Sequence, residues 1–441
     1  MFTSRLCDNF HEVGQIKKEP SFFRFARMVS VLRLVVKRPS NYDSNCENAI
    51  MIDVVELLSD LVKIPSINPM GRNLEGSDCL EHGVSKYLQT LFERLGLPFE
   101  RHEVEPGREN IIARLEGDGR LVMLEAHQDT VPVDGMTIPP FSAESRDGRV
   151  FGRGACDVKG GIACMLAAIA RLADERLDNM PTIVLACTVD EEHGMKGATH
   201  LSKLLSNAKS RLLPRIPDAA IVAEPTKLDV VVAHKGVVRW KCHATGRACH
   251  SSRPEQGENA IYKMGRVLAA LEHYANEVVP RIGDHPLLGQ PSLSVGTITG
   301  GISVNAVPDR CTVEIDRRLL PGEDPNVAFQ HAVDFVSKNV SVDGTLIHDP
   351  PTIAASGLSD SHNADLASEL GSAAKARGAS GQRVAVPYGT NAPHYAAISI
   401  PTVVFGPGSI EQAHTKDEWI AIDQLKLATQ ILVDFIKTRP S

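Results

Sequence analysis

Leu121-Val122-Met123-Leu124, followed by Ala126-His127-Gln128-Asp129, is the stretch that decides the fold. Its apolar half has the length and composition of a strand that is buried on both faces of a parallel sheet. Its polar half follows at the carboxyl end, where open α/β sheets place their ligand sites. In an extended segment His127 and Asp129 point the same way, so Asp129 could hold the His127 ring. A turn histidine beside a loop aspartate is the alternative for an isolated His-x-Asp pair.

Three more apolar strands end in the same manner. The polar groups that follow them are Asp190-Glu191-Glu192 after 182–189, Glu224 after 220–223, and His414 after 401–405. Adjacent carboxylates repel one another, so an acidic run of this kind usually needs a cation or a proton. In an extended backbone Glu191 and Glu192 would face different ways, and one could bind metal while the other acts as general base. An exposed acidic loop is the alternative, and His193 beside the run is interpreted as a bystander.

A fifth polar patch lies in the glycine-rich loop from Gly152 to Gly161, which contains Asp157. A helix is predicted to follow from about 162 to 172, after a loop that the glycines allow to turn tightly. The two oxygens of Asp157 could bridge two cations, and a simple carboxylate at a helix N-terminus is the alternative. Five loops that each supply imidazole or carboxylate form a ligand set for two divalent ions. The sequence therefore predicts a dinuclear metal hydrolase.

The length of the chain and a change of pattern indicate two domains. A chain of 441 residues exceeds what one hydrophobic core usually serves. Between about 235 and 350 the order becomes strand, helix, two strands, helix, strand, which is that of a ferredoxin-like sandwich. The elements are predicted at 237–245, 259–278, 292–299, 311–319, 326–340 and 345–347. The metal-binding α/β domain would then be discontinuous, at 51–234 and 351–441, and would close with a helix at 423–438.

These motifs resemble those of the M20 metallopeptidases, the family of acetylornithine deacetylase, succinyl-diaminopimelate desuccinylase, aminoacylase and glutamate carboxypeptidase. The resemblance runs from about Met51 to the C-terminus. It implies a zinc-peptidase-like catalytic domain, which is a mixed sheet with helices on both faces. It also implies that the inserted ferredoxin-like βαββαβ domain serves as lid and as dimer interface.

The resemblance assigns a role to each site residue. One metal ion would be held by His127, Asp157 and Glu224, and the other by the bridging Asp157, Glu192 and His414. Glu191 would be the general base and acid, and Asp129 would be the carboxylate behind His127. The two divalent ions are expected to be Zn²⁺, with Co²⁺ as the alternative, because the ligand set suits several metals.

The inserted domain carries polar residues with implied roles. By itself His250 is interpreted as a structural or surface histidine, but the resemblance implies that it crosses a dimer interface and stabilises the oxyanion in the partner's active site. Asn305 and Arg318 match two further family patterns and would bind substrate, because a guanidinium grips a carboxylate in a bidentate fork. Alternation along the strand sends Arg317 the other way, and a solvated basic pair is the alternative. A homodimer through this domain is expected.

The substrate is less sharply indicated. The run 406–419 resembles acetylornithine deacetylases more than desuccinylases, whereas Asn391 stands where the family often has an acid. We expect hydrolysis of the amide bond of an N-acyl amino acid, with N-acetylornithine as the leading substrate. Succinyl-diaminopimelate desuccinylase and a dipeptidase or carboxypeptidase acting on short peptides are the alternatives. A catalytically inactive binding protein on the same fold is the alternative of a different class, and the intact Glu191 argues against it.

Composition limits the partners and the location. A formal net charge of -7, with no basic stripe interleaved with aromatic residues, argues against nucleic-acid binding. Nine cysteines without a Cys-x-x-Cys pair indicate reduced thiols, so a cytoplasmic protein without membrane contact is expected. The apolar stretch within residues 1–50 is interrupted by arginines and is too short to span a membrane. We interpret residues 1–50 as a disordered, dispensable extension, or as the result of a start upstream of the true one at Met51.

Overall fold

The computed structural model describes residues 52–74, 76–175, 179–341 and 346–438, so the predictions for 1–50 and Met51 lie outside the described residues. The helices are α1 Val54–Val62, α2 His82–Leu95, α3 Lys159–Glu175, α4 Lys196–Ser206, α5 Ala260–His273, α6 Pro325–Asn339, α7 Ala364–Ala376, α8 Ala392–Ala396 and α9 Ile422–Lys437. The strands are β1 Phe99–Glu105, β2 Arg108–Leu115, β3 Leu121–His127, β4 Glu144–Arg146, β5 Arg149–Phe151, β6 Thr182–Thr188, β7 Ala219–Val222, β8 Val230–His234, β9 Gly236–Thr245, β10 Cys249–His250, β11 Ser292–Gly300, β12 Ala306–Val307, β13 Arg310–Leu319, β14 Leu346–His348, β15 Ile353–Ala355, β16 Arg383–Val386, β17 Thr402–Val404 and β18 Trp419–Ala421.

An eight-stranded mixed sheet forms the central layer, in the order β1-β2-β6-β3-β7-β17-β8-β16. Its four middle strands, β6, β3, β7 and β17, are parallel to one another. β2 is antiparallel to β6, and β8 is antiparallel to β17. Because the middle strands are parallel, their carboxyl ends meet at the same edge of the sheet. The predicted mixed α/β sheet is confirmed.

Helices cover both faces of this sheet. On one face, Met123 and Val184 pack with Leu201 of α4 and Tyr395 of α8. On the other face, α3 lies against β3 and β6 and packs on α1 and α9. Every residue of β3 and β6 is buried, as expected for parallel strands that are covered on both sides. This burial is the physical reason for the uninterrupted apolar runs in the sequence.

A second sheet, which is antiparallel, is built from strands between residues 236 and 355. Its order is β11-β13-β9-β14, and β15 also pairs with β9. α5 and α6 pack on one of its faces around Trp240, Met264 and Val336. The chain order β9-α5-β11-β13-α6-β14 is the predicted βαββαβ order, with bounds within a few residues of those expected. Its role as a separate lid and dimer-forming domain stays a prediction.

Local signals explain where helices begin. α1 starts at Val54 because an Asp53 carboxylate oxygen accepts hydrogen bonds from the N–H groups of Val55 and Glu56. α3 begins at Lys159, three residues before the predicted start, directly after the loop that carries Asp157.

Within the described ranges, no helix is long and apolar enough to cross a membrane.

Candidate metal centre

Four parallel strands deliver candidate ligands to one edge of the main sheet. β3 ends at His127, β7 is followed by Glu224, and β17 leads into the loop with His414. β6 leads into the acidic run 190–192. Asp157 reaches the same place from the loop between β5 and α3. The parallel arrangement thus gathers side chains that are far apart in the sequence.

Five side chains form two groups that share one carboxylate. The ligand atoms of His127, Asp157 and Glu224 lie within 4.8 Å of one another, and so do those of Asp157, Glu192 and His414. Asp157 presents Oδ1 to His127 Nε2 at 3.0 Å and Oδ2 to His414 Nε2 at 3.4 Å. His414 Nε2 also lies 3.1 Å from Glu192 Oε2. The structure therefore brings together the five residues predicted as ligands, with Asp157 common to both groups.

The carboxylates of this cluster are crowded in a poorly solvated space. Burial raises the pKa of Glu191 and of Glu224 well above the usual range and that of Glu192 to about 7, and neighbouring carboxylates add to each rise. Among the described residues, Glu192 Oε1 has no hydrogen-bond partner although it is buried. Like charges at this density are relieved by a cation or by a proton. Imidazole nitrogens and carboxylate oxygens suit zinc and related ions, so these residues fit two divalent cations.

The pKa values of the histidines show how strong this demand for positive charge is. Burial lowers the pKa of His127, but interactions with Asp129 and Asp157 outweigh it and raise that pKa well above its usual value. Burial of His414 is likewise outweighed by Asp157 and Glu192, which raise its pKa to about 11. Burial opposes ionisation of Asp157, but hydrogen bonds with both histidines lower its pKa. The centre therefore strongly favours bound positive charge.

The sequence matches Peptidase family M20/M25/M40 over residues 123–438. The chain belongs to this family. It is similar to an acetylornithine deacetylase of Vibrio parahaemolyticus serotype O3:K6 (strain RIMD 2210633), at 35% identity over 359 residues that cover 79% of this chain and 89% of that protein. The M20 chain is thus an enzyme of the metallopeptidase and amidohydrolase class.

Solved structures show the same fold. A tripeptidase from Staphylococcus aureus has a TM-score of 0.70 at 21% identity, covering 88% of this chain and 98% of that chain. A dinuclear metal binding peptidase of the M20 family from Bacillus subtilis has a TM-score of 0.58 at 18% identity, covering 87% of this chain and 96% of that chain. At these identities the likeness establishes the M20 fold and nothing finer.

The acidic run of this M20 enzyme differs from the extended segment expected after β6. Residues 191–194 form a turn. Asp129 holds it, because Oδ1 accepts the N–H of Glu191 and Oδ2 accepts the N–H of Glu192, both at 3.1 Å. His127 Nδ1 lies 3.0 Å from the main-chain oxygen of Asp129 and 3.5 Å from its carboxylate. The extended prediction is wrong, and the Asp129 carboxylate contacts the acidic turn more closely than it contacts the His127 ring.

Behind Asp129 lies a buried polar network that the sequence analysis missed. Asn68 Nδ2 donates to Asp129 Oδ2 at 2.8 Å and to Asp190 Oδ1 at 3.0 Å. Arg108 donates to Asp190 Oδ1 at 2.7 Å and forms a bidentate pair with Glu81. Asp190 thus pairs with Arg108, which it shares with Glu81, and it belongs to neither ligand group. These partners come from separate segments, so no local pattern announces them.

Three further residues, His193, Tyr388 and Asn391, belong to neither ligand group. His193 is outside both ligand groups and lies near Gly71, in keeping with its interpretation as a bystander. Burial, and then the charges of Glu224 and Asp157, raise the pKa of Tyr388, which places this phenol near the centre. The sequence analysis gave Tyr388 no role. Its neighbour Asn391 is buried inside the fold and donates to Glu125 Oε1 at 3.0 Å.

His250 and Asn305 belong to neither of the two ligand groups. His250 is exposed on the short ladder of β10 and β12, opposite Ala306. Its Nδ1 lies 2.8 Å from Ser252 Oγ. The main-chain oxygen of Asn305 accepts the N–H of Ser251 at 3.0 Å, which places Asn305 beside the His250 segment.

Arg317 and Arg318 lie on opposite faces of β13, as strand alternation predicts. Arg317 is 1% exposed and pairs with Glu323 at 2.8 Å. Arg318 is partly exposed, and its Nε donates to Asp316 Oδ1 at 2.7 Å. Of the two guanidinium groups, that of Arg318 is therefore the accessible one.

Proposed function

We propose that this enzyme hydrolyses the amide bond of N-acyl amino acids at a dinuclear metal centre, with N-acetylornithine as the first candidate substrate. The observation that carries the proposal is the pair of ligand groups that share Asp157. One divalent ion would be held by His127, Asp157 and Glu224, and the other by Asp157, Glu192 and His414. Zinc is the proposed metal and cobalt the alternative. When bound, such ions lower the pKa of water and polarise a carbonyl group.

The similarity to acetylornithine deacetylases supports this choice of substrate. Arg318 supports it as well, because an accessible guanidinium suits the carboxylate of an amino acid. In this proposal Arg318 exchanges its contact with Asp316 for the substrate, and Asn305, on the loop before β12, contributes a polar contact.

Glu191 is proposed as the general base and acid. The hydrogen bond from its main-chain N–H to Asp129 holds it beside the ligands, while its side chain belongs to neither group. Glu191 would remove a proton from the attacking water as the new C–O bond forms. It would deliver that proton to the amine nitrogen as the C–N bond breaks, which returns the carboxylate to its starting state.

We further propose that the active form is a homodimer made through the second sheet. β11 lies at one end of the strand order, and a groove of about 560 Å³ between α5 and β11 is lined in part by Leu268, Leu293 and Val295. Ile302 and Val304, on the loop before β12, are 96% and 99% exposed. Apolar surface of this kind favours a partner. A second copy would bring its own His250 to the centre, where the imidazole would stabilise the oxyanion.

A cytoplasmic location is part of the same proposal. Each cysteine within the described ranges is free, including the buried Cys156, Cys164 and Cys187. Free thiols are typical of proteins in a reducing compartment.

Ornithine release from N-acetylornithine tests the proposed function. The protein would be treated with a chelator, reloaded with zinc or cobalt, and assayed with metal analysis in parallel. We expect ornithine release only after metal is restored, with two ions bound per chain. Two bound ions without ornithine release would contradict the substrate and direct the assay to N-succinyl-diaminopimelate, other N-acyl amino acids and dipeptides. A protein that binds no metal and shows no turnover would contradict the proposed hydrolase activity and would favour an inactive binding protein.

A further inference from the structure

The loop that carries Asp157 is wrapped around one buried carboxylate from a distant part of the chain. This carboxylate belongs to Glu418, whose exposed fraction is 0%. Its Oε1 accepts the N–H groups of Cys156 at 2.9 Å and of Asp157 at 3.0 Å. Its Oε2 accepts the N–H of Gly154 at 3.1 Å and a hydrogen bond from Arg153 Nη1 at 2.6 Å. Four donors thus converge on Glu418.

This arrangement sets the direction of the loop backbone. An ionised carboxylate only accepts hydrogen bonds, so it can satisfy several N–H groups that point at one spot. Arg153, whose exposed fraction is 2%, supplies the matching positive charge. Hydrogen bonds assisted by charge are stronger than those between neutral groups. Gly154 has a φ of 82°, and a Cβ there would lie 2.7 Å from Thr130 Cγ2. The Asp157 side chain therefore projects from a main chain whose course is closely defined.

Glu418 is itself anchored on both sides. Its main-chain oxygen accepts the N–H of Gly152 at 2.9 Å. The next residue, Trp419, pairs with Phe151 in the ladder of β18 and β5, and the Arg149 guanidinium lies 3.8 Å from the centre of the Trp419 ring. The short segment that holds Glu418 also carries His414. One short segment, anchored by these contacts, therefore connects the loops of two proposed ligands.

We propose that Glu418 is a positioning residue of the metal centre, which aims Asp157 at both ligand groups through the main chain of residues 154–157. This inference rests on the proposed dinuclear centre. Glu418 itself lies outside both groups. Because Asp157 belongs to both groups, loss of Glu418 weakens both metal sites together. Loss of Glu224, which belongs to one group, weakens the corresponding site first.

The decisive variant is Glu418→Gln. An amide has one acceptor oxygen, and its NH₂ group faces N–H donors, so one pair of hydrogen bonds to the loop is lost. Changes in the partners that orient metal ligands typically weaken metal affinity by about 10- to 100-fold. We expect both zinc dissociation constants to rise by that factor, measured by competition with a chelator of known affinity. The visible spectrum of the cobalt-loaded protein should change as well, and circular dichroism verifies the fold.

Glu100→Gln is the matched control. Glu100 is also a buried carboxylate that accepts a main-chain N–H, from Arg211 at 3.0 Å, and the Ser210 hydroxyl at 2.8 Å. Glu100 lies on β1, and the loop at 210–211 that it binds carries no member of the two ligand groups. The control should lose thermal stability and keep both zinc dissociation constants. A Glu224→Gln variant supplies the comparison in which one site weakens first.

A folded Glu418→Gln protein with unchanged zinc constants, or with only one site weakened, would overturn the positioning role. If this variant does not fold, Glu418→Asp decides by the same criterion, because it keeps the charge and withdraws it from the N–H groups by about 1.5 Å, the length of one C–C bond. A wild-type protein that fails to bind two ions would instead refute the metal centre, so the two failures are distinguishable.

Discussion

Two regions of this enzyme present histidines for one proposed reaction in opposite surroundings. At the carboxyl edge of the main sheet, His127 is 2% exposed and lies 3.0 Å from Asp157. On the short ladder of β10 and β12, His250 is exposed, and its ring contacts Ser252, two residues away. The first region is assembled within one chain and held by buried hydrogen bonds. The second offers its imidazole outward, so under the proposed mechanism the oxyanion contact would come from a second copy.

The largest effect is expected when the shared ligand of the first region is removed. Asp157→Ala should release both ions and lower kcat/KM by on the order of 10⁴-fold or more, since the ions supply several kcal/mol and each 1.36 kcal/mol is tenfold. Metal analysis and turnover measure the outcome. Retention of both ions would contradict the shared role of Asp157.

Removal of the proposed base should separate chemistry from metal binding. Glu191→Gln should keep both ions and lower kcat by about 10²- to 10⁴-fold, because general-base catalysis is lost while the ligands stay. The comparison of kcat with metal content checks this expectation. Turnover near the wild-type rate would remove Glu191 from its proposed role.

The second region is tested by His250→Ala. We expect kcat to fall by about 10²- to 10³-fold with metal content intact, the loss typical of one oxyanion contact. Mixed dimers with Asp157→Ala chains should recover part of the activity, because one chain keeps its metal centre and the other keeps His250. Mixed dimers without recovered activity would contradict a role for His250 across the interface.

The smallest effect is expected at a buried histidine of the main sheet, His234. It changes the pH dependence of the free energy of unfolding and not the turnover at neutral pH. Burial lowers the pKa of His234 to about 4, so the folded state resists protonation between about pH 6.5 and 4 while the unfolded state accepts a proton. Stability from this group is complete above pH 6.5 and falls with pH in that window, by on the order of 3 kcal/mol. The free energy of unfolding of metal-free protein, followed against pH, measures it.

His234→Asn should flatten this pH dependence, because the asparagine can still donate to the Lys235 carbonyl, which His234 Nδ1 contacts at 3.0 Å, but does not titrate. His250→Asn, a change at an exposed histidine, should leave the slope as in the wild type. An equal slope in both variants would show that His234 does not carry the effect.

Local patterns predicted most of the fold because they reflect local physics. The apolar run at 121–124 is buried in β3, and the alternating segment 237–245 is β9. The predicted helix at 423–438 is α9, Ile422–Lys437. Periodicity and capping act within a few residues of the chain, so a sequence displays them directly. The M20 fold, which was expected from the resemblance of the motifs, is confirmed by the family match.

The ligands of the candidate site were predictable for a related reason. Each follows a recognisable strand or glycine-rich loop, so its position at the sheet edge follows from strand direction. The buried hydrogen-bond partners around the candidate centre were not predictable. Glu418, Asn68 and Arg108 act through hydrogen bonds to residues that are tens to hundreds of positions away. The turn at 191–194 also escaped prediction, because the carboxylate that holds it belongs to Asp129, in the loop after β3.

From the sequence alone one can read the order of strands and helices, the chemical types of the five candidate ligands and membership in the M20 family. Apolar periodicity and residue chemistry are properties of short segments, and they survive without knowledge of neighbours. The position of Asp157 between His127 and His414 follows only from tertiary packing. The same is true of the hydrogen bonds from the backbone of the candidate ligand loops to Asp129 and Glu418. It is true also of the exposure of His250. These outcomes depend on which distant segments meet, because buried carboxylates take whatever N–H donors the packing brings within about 3 Å.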